Sequence, residues 1–440
     1  MPVWARRPSR CRRIDPVTAP DELPARQQTR TRPAGASRAT AVLALVLAPL
    51  LLAAVVGMVL TWPHDDGGAG QRAGLVDAGV EFVSATVTGT RTEQCESTVE
   101  DRLPDGSQPD QVPCLKVLAT VTSGARDGAD IEVWATATLT ASDVPEGTRI
   151  IVQRYPAADG SPETWAWSDF ARGVPLATLA LAFVLVTMLV AGWRGLRAIV
   201  GLALAFVVLW QYVLPGLIAG EDAVVLALCG SAVIMAVVLY LAHGFSLRTS
   251  TALLGTLTGL LLVGALGALG AHAAHLTGAT TEEDYRLAAL LGDNGAAALR
   301  GVFLCGVVLA GLGVLNDVTI TQASAVWELR AADPGATWRG LVTGGMRIGR
   351  DHIASTIYTI AFAYAGASLP VLLLLQIYEL PLGQTLTSGQ FAQEIVRTLA
   401  GAIGLILAIP FTTAIAAGVA LSQAPAQLRR TSRHSHVHQL

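Results

Sequence analysis

Asp317, Thr321, Ser324 and Glu328 recur at spacings of four, three and four residues. On a helix this places two carboxylates and two hydroxyls on one stripe, with Asn316 and Gln322 flanking it. The stripe directly follows an unbroken apolar run, Val302–Leu315. Such groups are costly to dehydrate at membrane depth, so they must face a protein interior or a water path. A second polar set lies nearby: Asp351, Ser355 and Tyr358 share one helical face, and His352, Thr356 and Thr359 an adjacent one. Carboxylate, amide and hydroxyl oxygens suit a hard divalent ion, and one imidazole tilts the set toward a transition metal such as Mn²⁺. The same groups could relay protons. Asp317, Asp351 and His352 are therefore the candidate metal ligands. Asn316, Asp317, Thr321, Gln322, Ser324, Glu328, Asp351, His352, Ser355 and Thr356 are the candidate lining of a substrate or ion path. A purely structural role is the alternative, with Asp317 paired to Arg347 or Arg350 and Asp351 capping the start of its helix.

The elements that must position these residues are membrane-length. Of the 440 residues, 52% are hydrophobic and 14% charged. A soluble domain of this size carries more charge. Segments near Ala41–Leu60, Val174–Gly192, Leu196–Ile218, Ala223–His243, Thr251–His272, Leu299–Ala325, Ile353–Gln376 and Thr398–Leu421 could each cross a bilayer core. The fold class is an α-helical polytopic membrane protein of about eight transmembrane helices. Span six carries the first polar stripe and span seven the second. Arginine gathers in the first forty residues, in the turns holding Arg194, Arg197 and Arg248, in the connection Arg330–Arg350, and in the tail at Arg429, Arg430 and Arg433. Glu221, Asp222, Glu282–Asp284 and Glu379 fall in the alternate loops. This asymmetry predicts both termini in the cytoplasm of a bacterial plasma membrane. The first span starts too deep in the chain for a cleaved signal peptide.

The domain plan has five parts: an Arg/Pro-rich disordered tail over 1–40, the first span over 41–60, a small β-rich extracytoplasmic domain over 61–172, a seven-span bundle over 173–422, and a cytoplasmic tail over 423–440. Alternating runs at Phe82–Thr88, Leu115–Thr122, Ile131–Thr140 and Arg149–Arg154 predict strands of a barrel or sandwich, similar to an oligonucleotide-binding barrel in shape only. Cys95 and Cys114 lie in that domain, where an oxidising compartment favours a disulfide that staples a Pro/Gly-rich loop. Cys229 and Cys305 read as packing residues inside spans.

Several functions are disfavoured. Net charge is −3, which gives no basic field for nucleic acid. Lys116 is the sole lysine and follows Cys114 and Leu115, so a nucleotide-binding phosphate loop is excluded. No H-E-x-x-H, G-x-S-x-G or zinc-spaced cysteine set occurs, and no G-x-G-D accompanies Asp317 as an intramembrane aspartyl dyad would need. No enzyme activity and no cofactor are expected, a divalent cation entering only as a substrate. The partners expected are the lipid bilayer and, with identity open, a second copy or another envelope protein.

Weaker signals remain. Gly255 and Gly259 form G-x-x-x-G, a close-packing motif. His272 and His275 could capture a metal with Glu282, Glu283 or Asp284, although interfacial histidines are commonplace. His434, His436 and His438 read as a solvated tail. Pro370 and Pro410 should kink or end their helices. Glu394 and Arg397 read as an interfacial pair.

Four stretches carry a resemblance: Asn316–Leu329, Gly345–Thr356, Ala363–Pro370 and Gly401–Thr413. Together they resemble the YibE/F-like family of bacterial multi-pass membrane proteins. The resemblance covers spans two to eight and includes Asp317, Gln322, Ser324, Glu328, Arg350, Asp351, His352, Ser355 and Thr356. It implies a membrane protein of ill-defined role with transport suspected. The expectation is a transporter or exporter of a small solute or divalent cation, its polar path between spans six and seven. The alternative is a non-transporting envelope scaffold or stress component whose β domain binds a partner.

Overall fold

The computed structural model describes residues 34–423, apart from 65–78, 98–100, 102, 104, 137, 158–161, 293, 294, 378 and 380. The Arg-rich leader up to residue 33, Cys11, the linker opening at Asp65 and the tail histidines lie outside the described residues.

The β domain contains β1 (Glu81–Glu96), β2 (Gln111–Val121), β3 (Asp130–Trp134), β4 (Arg149–Tyr155) and β5 (Thr164–Phe170). All pairings are antiparallel, in the order β3-β2-β1-β4-β5. Alternate residues point inward: Val83, Ala85 and Val87 from β1, Val117, Ala119 and Val121 from β2, Ile150 and Val152 from β4. The bend comes from a bulge between Val87 and Gly89 on β1. β3 and β5 approach each other, so the sheet curls into a partly closed barrel. Two expectations change. The third strand stops at Trp134, because the ladder with β2 ends at the Lys116–Trp134 pair. β5 is added, its Trp165, Trp167 and Phe170 packing on the barrel core. The Pro/Gly-rich loop is also shorter than expected, since β1 runs to Glu96 and β2 starts at Gln111. Cys95 and Cys114 are joined as a disulfide across these two strands, Cα to Cα 5.9 Å.

The helices are α1 (Ala34–Leu60), α2 (Gly173–Val208), α3 (Leu214–Ile218), α4 (Ala223–His243), α5 (Leu247–Ala273), α6 (Glu282–Leu291), α7 (Gly295–Ala332), α8 (Trp338–Ala367), α9 (Leu369–Ile377), α10 (Leu382–Leu386) and α11 (Gly389–Leu421). A π-helical turn, Leu209–Val213, joins α2 to α3. Among the described residues six helical segments are long and apolar enough to cross a membrane, or seven if α8 and α9, bent by 64°, count as one. The expected pair Val174–Gly192 and Leu196–Ile218 falls within one 46-residue segment. Gly192 breaks its helical geometry with φ 57° and ψ −140°. A Cβ at Gly195 would lie 2.7 Å from the Thr187 carbonyl oxygen. A straight helix rising about 1.5 Å per residue cannot bring those positions together, so the segment folds back on itself.

The centre of the bundle is a packed trio, α5, α7 and α11. Glycines on α5 set its closeness: a Cβ on Gly255 would meet Thr412, and one on Gly259 would lie 2.6 Å from Leu315. Gly267 faces Val307 and Gly270 faces Val396 in the same way. Thr256 and Thr319 share a buried hydroxyl bond of 2.6 Å between α5 and α7. α1 leans on α4 with Gly57 against Cys229. Where α1 hands over to the barrel, Thr61 bonds the Tyr212 hydroxyl at 2.7 Å and Trp62 stacks on its ring. This is the barrel end of the bundle.

Candidate functional site: a polar groove beside α7

At the end remote from the barrel, α8 packs tightly on α11, with α7 alongside. Gly345 and Gly349 make this approach possible, since a Cβ at either would come within 2.8 Å of Thr413 or 2.7 Å of Ile409 respectively. Gln322 is buried there. Its amide nitrogen donates to the Gly345 carbonyl at 2.8 Å and to Thr413 Oγ1 at 2.7 Å, while Thr413 donates to the Ile409 carbonyl. Gln322 therefore pins α7, α8 and α11 together; it does not line a path.

Asp317 behaves differently from the expectation of a sheltered carboxylate. Its side chain is 75% exposed, and its Oδ2 stands 3.7 Å from His352 Nε2. This is an ion-pair distance when the imidazole is protonated. The exposure follows from the helical wheel: Val318, Thr319 and Gln322 take the bundle-facing side, which leaves Asp317, Thr321 and Glu328 on the open one. The ion-pair neighbour of Asp317 is thus His352, in place of Arg347 or Arg350. Asp351 is exposed in mid-helix and is no cap, because α8 begins at Trp338 with Thr337 accepting from the Gly340 N–H. Ser355 is exposed beside it. Among the described residues no three His, Cys, Asp or Glu side chains converge on a common point. Asp317, Asp351 and His352 therefore do not make the expected three-ligand metal site, and neither do His272 and His275 with the acidic residues of α6. Asp351 lies on a different face of α8 from His352.

The hydroxyls mostly serve their own helices. Thr321 donates to the Asp317 carbonyl, Ser324 to that of Ile320 at 2.7 Å, and Thr356 to that of His352 at 2.9 Å. His352 Nε2, too far from Asp317 for a hydrogen bond, and the neighbouring Asn316 Oδ1 have no hydrogen-bond partner.

Toward the barrel end the same face of α7 continues through Gly313, Ala310, Gly306 and Phe303. A Cβ at Gly313 would meet nothing within 4 Å. The rise from Asp317 back to Gly306 is about 16 Å at 1.5 Å per residue. There lie two adjoining cavities of about 400 and 300 Å³, whose shared walls are Asp284, Tyr364, Gln393 and Arg397. Gln393 is buried with its Nε2 unpartnered. Arg397 Nη1 donates to Glu394 Oε1 at 2.6 Å, and the guanidinium lies over the Phe303 ring. Arg397 Nε and Glu394 Oε2 are buried without partners. Asp284 closes a capping box at the start of α6. Burial works to raise its carboxyl, but hydrogen bonds from Thr280 and Thr281 outweigh this and hold it below its ordinary value.

Sequence reasoning missed Gln393 and Tyr364, and read Glu394 and Arg397 only as an interfacial pair. The one available signal was an amide and an ion pair on the first turns of an apolar helix. The wall that turns them into a cavity comes from α6, α7 and α8, distant in sequence.

No curated protein and no solved structure matches this chain. A family model does, over residues 179–421, which takes in every helix lining the groove and the cavity. The chain is a membrane protein that belongs to the YibE/F-like family.

Proposed function

We propose that this protein moves a small polar solute along the groove between α7 and α8, between the cavity at the barrel end and the Asp317–His352 pair. The observation carrying this reading is the pair itself. A carboxylate and an imidazole 3.7 Å apart sit on membrane-length helices, at the end of a face lined by Gly306, Ala310 and Gly313. An intramembrane carboxylate is costly and is retained where it does work, and an imidazole facing a carboxylate is chemically able to hand a proton on. That supports proton-coupled movement better than divalent-cation carriage, which has lost its third ligand. The fold-back at Gly192 and the bent α8–α9 segment support eight crossings. The arginine asymmetry of the loops supports a plasma-membrane location with both termini in the cytoplasm.

The test is reconstitution of the full chain in liposomes, following proton flux driven by candidate solutes. Asp317→Asn and His352→Gln should each lower flux by at least about tenfold while the unfolding temperature barely moves, as expected of an exposed functional carboxylate. Wild-type flux in Asp317→Asn would remove the conduit. A fall in stability without any flux in the parent would instead favour the scaffold reading.

A further inference from the structure

We propose that the cavity at the barrel end binds a small zwitterion, a molecule carrying one carboxylate and one ammonium, as amino acids do. The inference deepens the conduit reading and rests on it only for the claim that the bound molecule is also the one carried.

The unpartnered groups define the ligand. Arg397 spends Nη1 on Glu394, which leaves its Nε and the adjoining edge of the guanidinium unmatched. That edge is a planar fork suited to a carboxylate. Nη2 lies 3.8 Å from where a Cβ of Gly306 would stand, which places that edge of the guanidinium beside α7. Gln393 Nε2, buried and unpartnered, supplies a further donor on the same wall. On the acceptor side, Glu394 Oε2 is buried and unpaired and can receive an ammonium N–H. Buried polar atoms left without partners are disfavoured, and a ligand with both kinds of charge would meet all three.

Charge decides between ligand classes. Arg397, Glu394 and Asp284 all line the larger cavity. A simple anion would meet Arg397 but would face two carboxylates. A simple cation would meet Glu394 but would face the guanidinium. Opposite charges at either end of one molecule satisfy both. The remaining wall is mixed: Phe303, Ala310 and Val371 are apolar, while Thr280, Thr281, Ser368 and Gln390 are polar, which suits a modest side chain. The volumes, about 400 and 300 Å³, fall at the lower end of the range for small-molecule pockets.

The experiment uses the purified full chain in detergent, with thermal shift and calorimetric titration. The probes are glycine, alanine, leucine and glutamine, with propionate and ethylamine as size-matched carriers of one charge each. At least one zwitterion should stabilise the protein saturably. Propionate and ethylamine should each bind far more weakly. Arg397→Gln and Gln393→Leu should weaken the zwitterion roughly 10–100-fold, the loss expected for hydrogen bonds to a charged group. If Arg397→Gln does not fold, Gln393→Leu carries the test. The proposal is overturned if no zwitterion in the panel stabilises the wild type, if propionate or ethylamine does so equally well, or if both variants bind as tightly as the parent. Asp317→Asn separates the two readings, since it should bind the zwitterion normally and fail to move it. A wild-type chain that binds without moving the solute loses the conduit and keeps the site; a wild-type chain that conducts without binding does the reverse.

Discussion

Gln322 and Asp317 belong to one polar run yet do opposite work. Gln322 closes a buried contact among three helices through Gly345 and Thr413, whereas Asp317 stands open beside His352. Gln322→Leu should therefore destabilise the bundle by about 1–3 kcal/mol, because a buried carbonyl and hydroxyl lose their donor. Differential scanning fluorimetry would read this as a lowered unfolding temperature. An unchanged transition in Gln322→Leu, or an equal drop in Asp317→Asn, would mean the two roles are misassigned. The stripe itself was legible in the sequence, since Asp317, Thr321, Ser324 and Glu328 share a helical face at any packing. Gln322, five residues beyond Asp317, turns about 140° away from it at 3.6 residues per turn. Which of the two faces looks inward depends on where α8 and α11 lie, and no local pattern records that. The buried Gln393 was hidden for the same reason, its cavity being built by helices far along the chain.

At the scale of elements, the barrel and the helix trio are held by different physics. In the barrel, Glu163 bridges Arg154 at 3.0 Å and Arg126 at 2.7 Å. Hydrogen bonding from Arg154, aided by Arg126, holds its carboxyl below the usual value. A carboxyl lowered on folding stabilises at pH above its unfolded value, and that contribution is lost as pH falls through the folded one. Acidification should therefore weaken the barrel, and Glu163→Gln should flatten the dependence. Near-ultraviolet dichroism of the full chain, dominated on the barrel by Trp134, Trp165 and Trp167, follows this during acid titration. An equally steep acid transition in the variant would show that Glu163 is not the group responsible. In the trio, close approach matters most: Gly259→Val puts a Cβ 2.6 Å from Leu315 and should cost about 1–3 kcal/mol by overpacking, read by the same fluorimetry. If Gly259→Val unfolds with the parent, α5 and α7 do not meet there. Period-two alternation revealed four strands because their inner residues are aliphatic. β5 escaped because Trp165-Ala166-Trp167 is an apolar run and Ser168-Asp169 then put Phe170 out of phase with the two tryptophans. The G-x-x-x-G of α5 was readable as a packing face, but its partners Thr412, Leu315 and Ala408 were not.

For the molecule as a whole, the sequence displayed the apolar runs but not their joints. Gly192 turns two runs into one doubled-back segment, and a break at Ser368, just before Pro370, bends α8 from α9 by 64°. Proline at 370 has no N–H for the Gly366 carbonyl, which makes that break intelligible afterwards. Two surfaces of the bundle are left open, and they differ in chemistry. The first arm of α2 exposes Leu179, Phe183, Val186 and Leu189, an apolar surface that hydrocarbon can cover. The α7–α8 face exposes Asp317, Thr321, Ser355 and Thr359, which hydrocarbon cannot cover without a large penalty. In a bilayer the first surface should be dry and the second wet. Leu189, 84% exposed, and Thr321, also exposed, mark the two. Cysteine at each, in a chain whose Cys11, Cys229 and Cys305 are replaced by serine or alanine, allows a direct comparison in proteoliposomes. A small hydrophilic maleimide needs water and a thiolate, so Thr321→Cys should react at least about tenfold faster than Leu189→Cys. Equal rates in the bilayer, with equal rates also in the denatured chain, would mean that the α7–α8 face meets lipid. A polar groove running from the cavity to His352 could not survive that result.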